Sequence, residues 1–319
     1  MKPAFSVVFL TTLIGAGQGL LIALVAGQFY HVIGAGAAPE TGGFYAVGGL
    51  LALVLLCLGL VASIFHLANP QRGWRAATRW RTSWLSREVI LIPAVCGLAV
   101  LYAGIHALGW APVLLTFGNG KALDLPMAMG FLVVAGSVAL FVCTGMIYAC
   151  VRFIRQWASS WTVINYLLMG LASGFTLAAA YGAVMGSGLA GFMLAGAVVL
   201  TLLALVTRAY QLWANTTAKS PSSMKSAIGL HHTQIRQITQ GFMGESFNTI
   251  EFAAPGGADT VKGLTVFFLL AGFAVPAALL LSGLPALAFV CQFIGLLAER
   301  WVFFAAGSHV QNLYYQAKA

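Results

Sequence analysis

Charge is what this chain has least of. Its 319 residues include 16 Lys and Arg and seven Asp and Glu, so 7% are charged, against about 25% in soluble globular domains. With 60% hydrophobic residues and a mean hydropathy of +0.92, such a chain cannot cover itself with a water-compatible surface. That excludes a soluble globule, a disordered chain and, despite the formal net charge of +9, a nucleic-acid binder. No G-x-x-x-x-G-K-[ST], G-x-S-x-G or H-E-x-x-H run occurs, so nucleotide hydrolysis and hydrolytic catalysis have no support. The five cysteines, Cys57, Cys96, Cys143, Cys150 and Cys291, all lie in apolar stretches and never form C-x-x-C. This argues against a disulfide-stapled secreted module and against an iron-sulfur or zinc framework, and the spacing predicts small buried hydrophobes.

What the chain has instead is long stretches free of Asp, Glu, Lys and Arg: 3–39, 41–71, 89–120, 125–151, 156–207 and 263–298. A spanning helix takes about 20 apolar residues. The first four stretches each hold one helix. The fifth is a hairpin broken at the Gly-rich Tyr181 to Gly191, and the sixth is divided by the turn signal Ser282-Gly-Leu-Pro285. The expected fold class is all-α, a polytopic membrane bundle of about eight transmembrane helices in a single integral-membrane domain over 1–319. The spans are expected near 5–30, 43–67, 88–109, 126–151, 161–183, 188–211, 263–283 and 285–305, with a long loop at 212–262.

With eight spans, both termini and the even-numbered connections share a side. Fifteen of the sixteen basic residues then fall on it, Arg208 counted as flanking the loop after span six, and only Lys121 falls opposite. The positive-inside rule predicts that this side, with both termini and the 212–262 loop, is cytoplasmic. One Lys before an apolar stretch this long does not read as a cleavable signal peptide. The 37 glycines read as close helix packing.

Haem ligation needs two imidazoles at one depth. His66 ends span two on the basic side and His106 lies about 27 Å of helix rise from Glu88, toward the opposite side, which separates them. His31 and His106 share the far side, but nothing else in the sequence marks a pocket there, and no haem is expected. His231, His232 and His309 read as solvated loop or tail residues.

The densest charge lies in Phe65 to Val89, which holds five arginines, Glu88 and three tryptophans. Orientation and binding of lipid phosphate explain the arginines and indoles. They do not explain why His66 and Glu88 bracket the loop at adjacent helix mouths, where an unpaired ionisable group is costly. A cleft between them would suit a quinone, whose carbonyls need polar partners and whose tail needs an apolar slot, with His66 and Glu88 as proton carriers. The residues themselves leave open quinone binding, lipid binding with orientation, and a transport pathway. Glu299 and Arg300 read as a packing pair at the end of span eight.

The pattern His66-Leu-x-x-Pro70-x-Arg72-x-Trp74-Arg75, followed by Trp80-Arg-Thr-Ser-Trp-Leu-Ser-Arg-Glu88, resembles the membrane-anchor subunit of dimethyl sulfoxide reductase type molybdoenzymes. The opening Pro3-Ala-Phe-Ser-Val-Val-Phe-Leu-Thr-Thr12, the closing Glu299-Arg-Trp-Val-Phe-Phe304 and Asn312-Leu-Tyr-Tyr315 resemble it too. The resemblance implies an anchor without haem or metal that docks a four-cluster iron-sulfur subunit through loops 69–88 and 212–262. That subunit would serve a molybdopterin catalytic subunit and exchange electrons with ubiquinone or menaquinone. Carried over, the family's quinone-site residues fall on His66, Arg72 and Glu88. Trp74, Arg75, Trp80, Arg81 and Arg87 follow as ring platform, headgroup contacts or docking surface. A basic, cytoplasmic docking face in a bacterial inner membrane favours the branch similar to membrane-bound sulfite dehydrogenase over a quinol-oxidising sulfoxide reductase; a purely structural anchor is the remaining alternative.

Overall fold

In the computed structural model, residues 2–33, 40–116, 122–217, 222–229, 234–235 and 256–310 are described. Among them are eight helical segments long and apolar enough to cross a membrane. In chain order these are α1 (Phe5–Val32), α2 (Gly42–Ile64), α3 (Trp84–Ala107), α4 (Leu125–Ala149), α5 (Ser160–Met185), α6 (Ala190–Thr217), a seventh segment over Gly257–Leu281, and α10 (Pro285–Ala305). The label α7 is kept for the short helix Met224–Ile228 in the expected loop. The seventh segment is built of α8 (Gly257–Leu269), a π-helical turn (Leu270–Ala274) and α9 (Val275–Leu281). Its cause is local: Pro276 has no N–H to give the preceding turn, and Gly272 lets the backbone widen there.

Close backbone contact holds the bundle, with α1 and α5 its most buried members. A Cβ on Gly19 would collide with the Gly170 carbonyl, and one on Gly295 would collide with the Gly272 backbone, so glycine is the one residue that fits either crossing. Large apolar side chains such as Leu58, Val100, Leu132, Val206 and Val290 point outward, as they must where the solvent is hydrocarbon.

The start of α1, the 150–159 connection and the end of α10 meet at one end. Val8, Ile154, Trp157, Phe303 and Phe304 pack together there, and the Trp157 indole donates to the Phe303 carbonyl at 2.8 Å. The 65–83 connection belongs to the same end. It holds the 3-10 helix Pro70–Arg79, and Ser83 caps α3 by accepting from the Ser86 N–H. At the other end Glu40 accepts from the Ser187 hydroxyl at 2.7 Å, and Asp124 caps α4.

Several expectations need correction. The all-α class stands, with one small addition: Val113–Thr116 and Ala122–Asp124 pair as a short antiparallel ladder at the second end. Buried cysteines were expected, but only Cys143 is buried; Cys57 and Cys150 are exposed and Cys96 and Cys291 intermediate. Lipid is as apolar as a core, so a thiol gains little by turning inward. The sixth helix runs on to Thr217 and the third begins at Trp84. Residues 218–221, 230–233 and 236–255, with His231 and His232, lie outside the described residues, as does Asn312 to Tyr315. His309 is not simply a tail residue: its ring sits 5.1 Å from that of Phe153, and desolvation there pushes its pKa below the ordinary value.

Candidate quinone site

Glu88 was expected at a helix mouth. Because the Ser83 cap starts α3 at Trp84, it sits in the second helical turn instead, buried. The Thr144 hydroxyl of α4 donates to its Oε1 at 2.5 Å. No ion pair to Glu88 occurs among the described residues. The carboxyl faces a small cavity between α1, α3, α4, α5 and α10, whose volume of about 30 Å3 has room for one or two ordered waters. Leu10, Ile14, Phe141 and Leu296 form its apolar wall, and Gln18, Tyr166, Ser173 and Arg300 add polar groups.

His66 does not line this cavity. It lies just past α2, exposed, beside Phe65, which walls a separate apolar groove with Phe9, Leu13, Leu58, Val61 and Phe293. Desolvation pushes the His66 imidazole below its ordinary 6.5, so at pH 7 it is neutral, with one nitrogen to donate and one to accept. Arg72, Trp74, Arg75, Trp80 and Arg81 are likewise exposed and outside both cavities. The loop is braced from within. Arg87 donates to the Trp80 and Arg81 carbonyls at 2.9 Å each and lies 4.2 Å over the Trp84 ring, while Arg75 and Arg81 cover Trp74 and Trp80 at 5.7 and 5.3 Å. The structure thus divides the predicted residues between a buried carboxyl in its cavity and an exposed Arg-Trp ledge.

The Glu299–Arg300 pair read from the sequence is present, but sequence reasoning missed that Arg208 completes an ionic network there, beside that cavity. Arg208, counted as flanking the loop after span six, is buried in α6 and pairs with Glu299 at 2.7 Å. Arg300 holds the other carboxylate oxygen at 2.5 Å and lies 4.0 Å over the Tyr166 ring. The Gln211 oxygen accepts from Arg208 and from the Asn165 amide, both at 2.8 Å. The signal was in the spacing, because Met193, Ala197, Thr201, Ala204, Arg208 and Gln211 recur at helical intervals and form the buried stripe of α6.

The far end also differs from expectation, since a pocket does lie there. Gln28, His31, Glu40, Tyr45, His106 and Asp124 line it, and the ring of the buried His106 lies tilted against that of Tyr45, 4.8 Å between centroids. Among the described residues no group of three or more His, Cys, Asp or Glu is placed to hold a metal ion.

Comparison with known proteins agrees with this architecture. Residues 1–305 match the family described as DMSO reductase anchor subunit (DmsC). The chain is 48% identical, over an alignment of 327 positions covering all of both proteins, to a sulfite dehydrogenase subunit of Allochromatium vinosum. A multi-pass helical bundle that matches the family almost end to end belongs to the DMSO reductase anchor subunit family.

Proposed function

We propose that this chain is the quinone-reactive anchor of a molybdopterin oxidoreductase, exchanging electrons between an iron-sulfur subunit and the quinone pool of a bacterial inner membrane. The observation that carries the reading is Glu88: a buried carboxyl in a membrane helix, with no ion-pair partner among the described residues and facing a cavity, is costly unless it has a task. Quinone reduction consumes two protons, and a carboxyl at this depth is placed to pass one. The neutral imidazole of His66, next to Phe65 of an apolar groove of the kind an isoprenoid tail requires, is the second proton carrier at the entry, with Arg72 on the same exposed loop.

The ledge of exposed Trp74, Arg75, Trp80 and Arg81, braced from within by the half-buried Arg87, is the docking surface for the iron-sulfur subunit, with lipid phosphate at its margins. Full-length identity of 48% with a sulfite dehydrogenase subunit favours cytoplasmic sulfite oxidation feeding quinone over sulfoxide reduction drawing on quinol. The basic end of the bundle, with both termini, then faces the cytoplasm.

The test is kinetic. In the purified complex His66→Ala is expected to cut quinone-linked turnover about 100-fold, the effect of losing a proton carrier. Turnover with a soluble artificial acceptor, which bypasses the anchor, stays at the wild-type rate. Unchanged quinone turnover would remove His66 from the site.

A further inference from the structure

The cavity at Glu88 holds more hydrogen-bonding capacity than the protein itself uses. Gln18, on α1, is 1% exposed, and neither its amide nitrogen nor its amide oxygen has a protein partner. Arg300 spends Nε on Glu299 and directs Nη2 at the Met169 sulfur at 3.7 Å, while Nη1 is unpartnered and buried. Both residues line the cavity. A primary amide left unsatisfied in hydrocarbon is destabilising, and before a ligand enters, one or two waters, making about three hydrogen bonds each, are what would satisfy this set.

Helix geometry gives the cavity a long axis. Glu88, Thr144, Tyr166 and Arg300 each lie one to two turns inside their helix ends, whereas Gln18 and Ser173 lie about 20 Å of rise from theirs. Helical Cβ atoms tilt toward the N-terminus, and the N-terminus of α1 is at the Glu88 end, so the Gln18 side chain rises toward that tier. The result is a deep tier holding the Gln18 amide and the Ser173 hydroxyl, a carboxyl and a guanidinium above it, and apolar walls around them.

We infer that Gln18 and Arg300 are ring-recognition residues of the quinone site, Gln18 bonding the carbonyl oxygen remote from Glu88 and Arg300 Nη1 the one beside it. This rests on the quinone reading given above. The chemistry of the set fits both redox states. A quinone carbonyl only accepts, while a quinol hydroxyl also donates. A glutamine amide can turn either NH2 or C=O to its ligand, so it serves both forms. Arginine only donates, and a carboxyl donates or accepts according to its proton. At about 30 Å3 the cavity is smaller than a ring, so a ring enters as the lining side chains move apart, and it then bonds the polar groups that water would otherwise satisfy.

The experiment is steady-state kinetics of the purified complex with a short-chain ubiquinone analogue, comparing wild type with Gln18→Met, which keeps length and loses every strong donor and acceptor. KM is expected to rise about fivefold, the effect of one neutral hydrogen bond, with kcat within about twofold and artificial-acceptor turnover unchanged. Thermal stability stays level or rises, because no protein hydrogen bond is lost. Gln18→Leu is the second variant, with the same expectation, should the Met form assemble poorly. An unchanged KM in an assembled variant overturns the inference, as does a fall in stability with KM intact, which would mark Gln18 as structural. The quinone reading fails differently: the wild-type complex would not turn over the analogue, or Glu88→Gln would leave that turnover untouched.

Discussion

Glu299→Gln should nearly abolish assembled anchor in the membrane. The carboxylate is fully buried and is shared by Arg208 and Arg300, themselves 3% and 5% exposed. Removing it leaves two guanidinium groups close together in an interior that cannot solvate them. Breaking a buried pair from one side costs about 3–5 kcal/mol, a large part of the roughly 5–15 kcal/mol that holds a typical domain. The damage would spread, since Arg208 also holds Gln211, Gln211 holds Asn165, and Arg300 sits on the Tyr166 ring. Arg208→Met combined with Glu299→Gln removes one charge of each sign and should recover part of the loss, the mark of a coupled pair. Anchor content of washed membranes and the thermal midpoint of the purified complex are the measurements. The exposed pair Asp259–Lys262, 3.7 Å apart, is the control, and Lys262→Ala should change neither.

Glu88→Gln should leave the complex assembled and nearly inactive toward quinone. The Gln side chain keeps an oxygen for the Thr144 hydroxyl, so the α3–α4 contact that the carboxyl makes survives. What disappears is the proton. Loss of a positioned acid or base typically costs 10²–10⁴ in rate, so quinone-linked turnover is expected to fall at least about 100-fold, while turnover with a soluble artificial acceptor is retained. The pairing of results carries the weight. Loss of both activities would mean a disrupted complex, and retention of both would mean that Glu88 is a structural residue whose only task is to hold Thr144.

The two sites of large expected effect were unequally legible. Charge-free stretches announce helices, since each must bury a backbone that lipid cannot solvate, and Ser282-Gly-Leu-Pro285 marks a turn whose Gly283 has φ +75°. Glu88 was visible as a lone acid beside an Arg-rich loop, but its depth was set by the Ser83 cap, a three-residue signal easily lost among other polar residues. Arg208 was counted only as a cation flanking the loop because net-charge bookkeeping ignores periodicity; the stripe on α6 places it inside the bundle. Gln18, a single polar residue in a long apolar run, carries no motif, and its meaning appears only when α10 and α3 bring Arg300 and Glu88 to the same cavity. The far-end pocket needed the approach of Gly42 to the His106 carbonyl, a contact between helices that no spacing rule supplies.

The most direct measurement is a cryo-EM map of the intact complex in lipid nanodiscs with bound quinone, at a resolution that shows the ring. Ring density is expected between α1, α3, α4, α5 and α10, with one carbonyl oxygen within hydrogen-bond distance of the Glu88 carboxyl. Ring density elsewhere, with only water beside Glu88, would contradict the assignment.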